Sequence, residues 1–559
     1  MRHTEALCRK DGCASWRKLT ISTSDLHRAV MPPAPRVPGP GMTVHADSFT
    51  RHHYGTAFEL RVVVMCAMAG VLMQALNTTI ANVALPYMQG GLSASREQVT
   101  WVLTSYIAAA AIMTAPVGWM AARFGKKNIL IVSMVGFTLT SMMCGAAENL
   151  VQMVVYRLLQ GIFGAALAPL SQAIMFDLYR PEERGRAMAI FGMGVMLGPI
   201  LGPTLGGWLT DNYTWRWIFY VNVPFGIAAT MGIWYFFKDN ARDDSLKFDW
   251  SGFGFMALGV GAMQLMLDRG TTQDWFSSSE IVIECTLTGL GFYLFLVHML
   301  TAAKPFLQKA IFRDRNFVLA QVLQFLVGAV LLASTALIPP FLQNLSGYTV
   351  TETGLLLGPR GLGTIVAMML VGKVSNHIDP RLLMTVGATF MLWSLWQMSL
   401  WTPSVENGTL LFVTIVQGFG MGLIFTPLQL VAFATMPGTL RTDGTSLMNL
   451  IRNIGSAIGI SITTTILSDR MQAIHSELTR FASPFNHALE LNAPSLFFNI
   501  QIPSTRMAFD VALRIRAAVE GYASDFRFMF WVALISIPVI WLLDRPAYST
   551  SGSNGGRKS

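Results

Sequence analysis

The sequence is poor in charged residues and shows no cysteine pattern. Charged residues make up 13% of the 559 residues, against roughly 25% in soluble domains, whereas hydrophobic residues make up 52%. Cys8, Cys13, Cys66, Cys144 and Cys285 are scattered without paired spacing. This arrangement argues against a disulfide framework and against a zinc site.

Motifs for ATP hydrolysis and for enzyme chemistry are also missing. The phosphate-binding pattern G-x4-G-K-[S/T] does not occur, because Gly125 and Lys126 are followed by Lys127. The apolar stretches described below contain no nucleophile motif and no clustered set of His, Asp and Glu. We therefore expect no cofactor and no bound metal, and a membrane-embedded enzyme or sensor is the least favoured function.

What the chain has instead is a long series of apolar stretches. Fourteen of them approach the length of about 20 residues that a helix needs to cross the bilayer core. They predict an all-α polytopic membrane protein embedded in a lipid bilayer. The predicted spans are 60–81, 97–119, 129–147, 151–171, 187–208, 216–236, 249–267, 281–301, 316–338, 352–372, 381–400, 409–430, 446–467 and 525–543.

The net charge of +9 is explained by topology. Lys and Arg concentrate in the even-numbered short loops, as with Arg123 and Lys127, whereas the odd-numbered short loops hold only Arg96, Arg216 and Arg269. Lys and Arg are retained on the cytoplasmic side of a membrane. The asymmetry predicts that both termini are cytoplasmic, and it makes a nucleic-acid partner unnecessary.

The chain shows signs of an internal duplication. Gly118, Gly125 and Lys127, at the end of the second span, recur as Gly372, Asp379 and Arg381 at the end of the tenth. Transporters built from repeated halves bind substrate between the halves. The predicted segments are 1–58 (disordered cytoplasmic tail), 59–236 (N-terminal six-helix bundle), 237–315 (inserted two-helix linker), 316–543 (C-terminal six-helix bundle, with the periplasmic segment 468–524) and 544–559 (cytoplasmic tail).

Several stretches resemble the major facilitator superfamily, in its fourteen-helix EmrB/QacA branch of drug:proton antiporters. They are LNTTIANVALP (76–86), GWMAARFGKKNIL (118–130), RLLQGIFGAAL (157–167), GPILGPTLGGWL (198–209) and WRWIFYVNVPFG (215–226). The resemblance implies the major facilitator fold, two six-helix bundles plus two inserted helices. It also implies proton-driven export across a bacterial inner membrane, with a periplasmic membrane-fusion adaptor and an outer-membrane channel as partners.

The resemblance assigns roles to three motifs. Arg157 opens the span-4 motif, which the family implicates in proton coupling. The antiporter motif, which seals the path against leak in relatives, is matched by Gly198, Gly202, Pro203, Gly206 and Gly207. Glycines at i+4 spacing also fit ordinary close helix packing. The gating loop on the cytoplasmic side is matched by Gly118, Arg123, Gly125 and Lys127, although its usual aspartate is replaced by Ala122.

The interior spans contain cations and few carboxylates. Arg157, Arg360 and Arg452 lie within predicted spans, and no carboxylate is expected deep inside the twelve core spans. Where relatives carry an aspartate in span 1, this chain has Asn77, which cannot titrate. We expect Gln74, Asn77, Thr78 and Arg360 to line the substrate cavity. A positive cavity favours lipophilic weak acids over organic cations.

These observations favour multidrug export of toxic lipophilic compounds in exchange for protons. Export of one endogenous metabolite or siderophore by the same fold remains the alternative. The outer segment 468–524 contains an apolar stripe at Met507, Val511, Ile515 and Val519, with arginines on its other faces at Arg506, Arg514 and Arg516. This amphipathic helix fits either a membrane surface or an adaptor dock.

Overall fold

The protein is almost entirely helical. The structure, a computed structural model, describes residues 57–238, 244–302, 305–375, 377–481 and 503–544. Apart from residues 57, 58 and 544, the two predicted tails lie outside the described residues, as does 482–502 of the predicted periplasmic segment. The α-helices are α1 (Ala57–Gly91), α2 (Arg96–Thr114), α3 (Val117–Phe124), α4 (Lys126–Gly145), α5 (Leu150–Gly164), α6 (Leu167–Leu178), α7 (Arg184–Asn212), α8 (Trp217–Tyr220), α9 (Asn222–Phe236), α10 (Trp250–Arg269), α11 (Ser279–Thr301), α12 (Arg315–Pro340), α13 (Val350–Val374), α14 (Pro380–Met398), α15 (Asn407–Phe433), α16 (Arg441–Phe481) and α17 (Pro503–Leu542).

A helix lies at each of the fourteen predicted spans, but not all of them meet the requirements for crossing a bilayer alone. Twelve helical segments in the described residues are long and apolar enough, and the bent pair α2–α3 raises the number to thirteen. The helix α14, at predicted span 381–400, is not among them. The membrane-spanning, all-helical class is therefore confirmed, whereas the number fourteen stays a prediction.

A proline and a glycine determine the direction of the chain between α2, α3 and α4. The axes of α2 and α3 differ by 56° on either side of Ala115 and Pro116. Proline lacks an N–H group and cannot continue the helical hydrogen-bond ladder. Gly125 separates α3 from α4 with φ of 89°, a backbone region that favours glycine. We call the side of the bundle that carries Gly125 the basic side, and the opposite side the outer side.

The two halves, α1–α9 and α12–α17, meet along a few helices. The helix α7 packs against α13 and α15, while α16 packs against α3 and α6. The inserted helices touch both halves, because α10 packs against α2 and also against α16. Thr104 on α2 donates a hydrogen bond to Asp268 on α10, and Ser461 on α16 donates to the Leu267 carbonyl at 2.9 Å.

Helices α16 and α17 are longer than a bilayer requires. With 41 and 40 residues they each extend about 60 Å at 1.5 Å per residue, twice the thickness of the hydrocarbon core. They pack together, with Gly521 against Leu467 and Met471, and His475 Nε2 lies 2.9 Å from Asp510 Oδ1. The amphipathic segment predicted before span 14 is therefore the first part of α17 and is continuous with that span.

Candidate transport site and gates

Arg157 is held in the N-terminal half without a carboxylate. The side chain is fully buried on α5, donating from Nε to the Val102 carbonyl at 3.0 Å and from Nη1 to Gln160 Oε1 at 2.8 Å. The guanidinium also lies 4.3 Å from the centre of the Tyr106 ring. Carbonyl dipoles and a ring face stabilise the cation, and no ion pair neutralises it among the described residues. The site therefore keeps a net positive charge.

The predicted polar stripe on α1 divides into three different environments. Gln74 Oε1 accepts a hydrogen bond from the Ala168 N–H at 3.1 Å, which satisfies a free donor in the first turn of α6. Thr78 donates to carbonyls of its own helix, including Ala75 at 2.8 Å. Asn77 is completely buried, and its two side-chain polar atoms have no hydrogen-bond partner within the described ranges.

The glycines of α7 bring two helices into backbone contact. A Cβ atom at Gly198 would lie 2.6 Å from the Ala75 carbonyl carbon, and one at Gly202 would lie 2.8 Å from Thr79 Cβ. Thr79 also donates a hydrogen bond to the Gly198 carbonyl at 3.1 Å. Further along, a Cβ at Gly206 would lie 2.7 Å from Ile80 Cγ1. A side chain at any of these three glycines would therefore push α1 and α7 apart.

The rest of the antiporter motif lies on the same helix. Pro203 is half-buried and Gly207 is buried, and α7 remains helical from Arg184 to Asn212 across both. The opposite side of α7 meets the other half, since a Cβ at Gly354 on α13 would lie 2.6 Å from Thr204 Oγ1. The seam between α1 and α7 therefore adjoins the interface between the halves.

The gating loop on the basic side touches the other half at Gly118. A Cβ at Gly118 would lie 2.8 Å from the Asp443 Cα, and the Asp443 carboxyl group would overlap with it. Asp443 is buried at the first turn of α16. The aspartate that Ala122 replaces in the family pattern is absent, but a carboxylate from the opposite half packs against the same loop.

Basic side chains of the loop bind acceptors within the N-terminal half and in the chain leading to α10. Lys126 Nζ lies 2.5 Å from Asp177 Oδ2, and Lys127 Nζ donates to the Trp234 carbonyl at 2.8 Å. Arg123 Nη1 lies 4.0 Å from the exposed Asp244. These contacts join α3 and α4 to α6, to α9 and to the segment before α10.

The repeat in the C-terminal half makes the reciprocal contact. Gly372 packs against Ala189 and Arg186 of α7, and a Cβ at Gly185 would overlap with the Ser375 hydroxyl. Each half thus presents the end of its second helix to the first turns of a helix of the other half, on the basic side.

The arginines of the C-terminal half are bound by neutral groups. Arg360 donates from Nη1 to Thr335 Oγ1 at 3.2 Å and from Nη2 to Ser334 Oγ at 3.0 Å, both on α12. Arg452 donates from Nη2 to Asn449 Oδ1 at 2.9 Å on its own helix. In the part of the chain that the structure describes, neither forms an ion pair. Both residues are half-buried.

A chain of buried amides joins the halves on the basic side, and sequence reasoning missed it. Asn449 Nδ2 donates to Gln172 Oε1 at 3.0 Å, and Gln172 Nε2 donates to Gln429 Oε1. Gln172 belongs to α6, whereas Gln429 and Asn449 belong to α15 and α16. Thr445 adds a hydrogen bond to the Pro169 carbonyl at 3.1 Å. The only sequence signal was the presence of amides in apolar spans.

The expectation that no carboxylate lies deep in the core spans is wrong for Asp525. Its side chain has no exposed surface, and neither carboxyl oxygen has a hydrogen-bond partner among the described residues. Asp525 is the first residue of the predicted span 525–543. Because α17 extends outward to Pro503, Asp525 lies in the middle of a helix and faces the packed interior.

Comparison with known proteins identifies the family to which this fold belongs. The sequence profile described as Major Facilitator Superfamily matches residues 67–460. The chain belongs to this superfamily. Among curated relatives, the "Multidrug export protein EmrB" of Escherichia coli K12 is 31% identical over 507 residues, which cover 89% of this chain and 98% of that protein. The "Fatty acid resistance protein FarB" of Neisseria gonorrhoeae is 33% identical over 490 residues, covering 87% and 96%.

Solved major facilitator structures show the same fold at low identity. A bacterial homologue of the human lysosomal transporter Spinster, in an inward-facing and unoccupied conformation, matches with a TM-score of 0.53 and 17% identity. The match covers 88% of this chain and 98% of that chain. The protein is thus a multi-pass membrane protein of a transporter superfamily, and the two curated relatives given above are named as an export protein and a resistance protein.

Proposed function

We propose that the protein exports lipophilic weak acids across a bacterial inner membrane, in exchange for protons, by alternating access between its two halves. The observation that carries this proposal is the set of three interior arginines, Arg157, Arg360 and Arg452. Each donates hydrogen bonds to neutral acceptors rather than to a carboxylate within the described residues.

The substrate class follows from electrostatics. Unpaired cations in a medium of low dielectric constant attract anions and penalise the approach of another cation. Arg360 and Arg452 are half-buried and donate to neutral acceptors within the described residues, so an anionic ligand would supply the missing counter-charge. The relative named for fatty acid resistance, at 33% identity, supports amphipathic acids as the substrate class. Gln74 and Thr78, which are half-buried, then contribute the polar wall of the N-terminal half, whereas the completely buried Asn77 does not line the cavity as predicted.

The roles of the motifs follow from their contacts. We assign Arg157 to proton coupling, because it stands in the family's span-4 motif and lacks a counter-ion. The glycine seam of α7 seals the path between α1 and α13, and the Gly118 loop closes the basic side against α16. A membrane potential of 100 mV supplies about 2.3 kcal/mol per charge and each pH unit about 1.4 kcal/mol. The free energy released by one proton can therefore maintain a substrate concentration ratio of two to three powers of ten across the membrane.

The first part of α17, from Pro503 to Glu520, supports a periplasmic adaptor as a partner. Met507, Val511 and Ile515 are 72%, 50% and 39% exposed, so the apolar stripe is not covered by the described residues. Beside the stripe, Arg514 Nε lies 2.8 Å from Asp510 Oδ2. An exposed apolar stripe with charged neighbours is the composition of a docking surface.

The proposal is tested by drug susceptibility in an efflux-deficient bacterial host. We expect the protein to protect against lauric acid and not against benzalkonium, and an uncoupler should remove the protection. Arg360→Gln and Arg452→Gln should weaken it, because a hydrogen bond to a charged group contributes about 1.5–3 kcal/mol, a tenfold or larger change in affinity. Arg313→Gln, at an exposed position on the basic side, is the matched control. Protection against the cation alone would refute the substrate class.

A further inference from the structure

The buried Asp525 needs a physical explanation that the motifs do not supply. Buried carboxylates are normally paired or hydrogen-bonded, because a desolvated and unpaired charge is strongly unfavourable. Asp525 is completely buried, and both of its oxygens lack a partner among the described residues. In this conformation the neutral, protonated carboxyl group is the form that the surroundings tolerate.

The surroundings of Asp525 are aromatic. The Tyr522 ring lies 5.3 Å from Phe341, Phe341 lies 5.9 Å from Trp401, and Trp401 lies 6.0 Å from Phe526. Tyr522 and Phe526 flank Asp525 on α17, and all four rings are buried. Trp401 follows α14 on the outer side, and the chain at Phe341–Leu345 forms a π-helical turn, a feature frequent at functional sites. We call these four rings the aromatic plug.

No charge in the packed elements compensates a carboxylate at this place. The stretches 331–340 of α12, 341–345 of the π-helical turn and 391–398 of α14 contain no charged or titratable residue. On α16, Asp469 and Arg470 are exposed. On α17 within two turns of Asp525, Glu520 and Arg527 pair with each other at the surface, and Tyr522 is the other titratable group. Asp510, Arg514 and Arg516 lie further toward the start of α17. The site is therefore built to hold a proton rather than an anion.

We propose that Asp525 binds the proton whose inward movement drives export, a role that Asn77 cannot fill. This inference rests on the proposed proton-driven function. A hydronium ion on the outer side transfers a proton to a carboxylate oxygen of Asp525: one O–H bond of the hydronium ion breaks, water remains, and an O–H bond to the carboxylate forms beside the aromatic plug. In the conformation open to the basic side, that O–H bond breaks and the proton passes to water there.

Helix packing connects Asp525 to the amide chain that joins the halves on the basic side (Gln172, Gln429 and Asn449), which we call the gate. Gly521, one turn before Asp525, packs against Leu467 and Met471 of α16. The same helix carries Asn449, which binds Gln172 of the other half. A movement of α17 when Asp525 loses its proton is therefore transmitted through α16 to the amide chain between the halves.

The experiment compares Asp525→Asn, which mimics the neutral form permanently, with Asp510→Asn on the same helix. Asp510 is an exposed carboxylate that pairs with His475 and Arg514, so it tests the loss of a charge without the loss of a buried proton site. Both variants and the wild type are purified as full chains, checked by size-exclusion chromatography, and reconstituted into liposomes with the membrane potential clamped to zero. The probe is radiolabelled taurocholate, an amphipathic anion that crosses lipid slowly.

Two transport modes are measured for each protein. Liposomes that are one pH unit more acidic inside should accumulate taurocholate about tenfold with the wild type and with Asp510→Asn, at one proton per substrate. Asp525→Asn should show no accumulation beyond equilibrium, yet it should exchange external for internal taurocholate, because exchange needs no net proton transfer. Infrared difference spectra should lose a protonated carboxyl band in Asp525→Asn only.

Each outcome decides the inference. Accumulation by Asp525→Asn at the wild-type level overturns the role of Asp525 and leaves proton-driven export standing. Loss of exchange together with accumulation in Asp525→Asn indicates a structural role and also overturns it. A wild type that ignores the pH gradient overturns the proposed function, and the inference with it.

Discussion

The amide chain between the halves leads to a quantitative prediction for Gln172→Leu. The Gln172 side chain makes two bonds across the interface, to Gln429 and from Asn449. Hydrogen bonds between helices in membranes contribute about 0.6 kcal/mol each on average, so removing both costs about 1.2 kcal/mol. At 1.4 kcal/mol for each factor of ten, the population open on the basic side should rise about sevenfold. Leucine has a similar volume, so packing is largely preserved.

The assay is a distance measurement between spin labels on the basic side. Labels at Asn128 on α4 and Leu382 on α14, both exposed, report on the two halves in a background without native cysteines. Electron–electron double resonance should show a larger long-distance fraction in Gln172→Leu than in the parent.

A matched control separates loss of the interface bonds from loss of a buried amide. Gln417 is a buried glutamine on α15, the helix of Gln429, and its side-chain atoms have no hydrogen-bond partner within the described ranges. Gln417→Leu should leave the distance distribution unchanged. An equal shift in both variants, or no shift in Gln172→Leu, would contradict the idea that the amide chain holds the basic side closed.

Three further predictions concern coupling, substrate choice and assembly. Arg157→Lys should insert normally but lose efflux, because lysine cannot reproduce the planar donor pattern that binds Val102 and Gln160; wild-type efflux in an intact-cell assay would contradict the assignment. Asn77→Asp should add a titratable group at a fully buried site and shift resistance from lauric acid toward benzalkonium, as read from the ratio of inhibitory concentrations. Reversing both Arg514 and Arg516 to glutamate should abolish co-purification of an adaptor while transport in liposomes persists; retained adaptor binding would assign the dock to another surface.

The helices and the close seams were predictable from the sequence. Length and hydropathy of the apolar stretches dictate helices, since a lipid environment leaves the backbone few alternatives. The spacing of Gly198, Gly202 and Gly206 predicts a helix face without side chains, and α1 fills that face through Ala75, Thr79 and Ile80. Local patterns thus carry information about helix faces, because the period of a helix is fixed.

Partners across the halves were not predictable. The bond between Gln172 and Gln429 joins residues 257 positions apart, and its existence depends on how two bundles dock. The burial of Asp525 was not predictable for a similar reason, because hydropathy marks where an apolar stretch begins and not where a helix begins. The helix α17 continues for more than twenty residues before Asp525, so the end of the apolar window fell inside a packed helix.

The strength of the gate on the basic side fits the energy that one proton supplies. Among the described residues, three hydrogen bonds cross between the halves there, from Gln172 to Gln429, from Asn449 to Gln172 and from Thr445 to the Pro169 carbonyl. At about 0.6 kcal/mol each they hold the closed form by roughly 2 kcal/mol, a preference of about twentyfold. One proton crossing 100 mV and one pH unit releases about 3.7 kcal/mol. Neutral amides therefore make a gate that is mostly closed at rest and that the free energy released by one proton is sufficient to open. An interface of buried ion pairs would be far harder to open, because separating such a pair leaves an uncompensated charge.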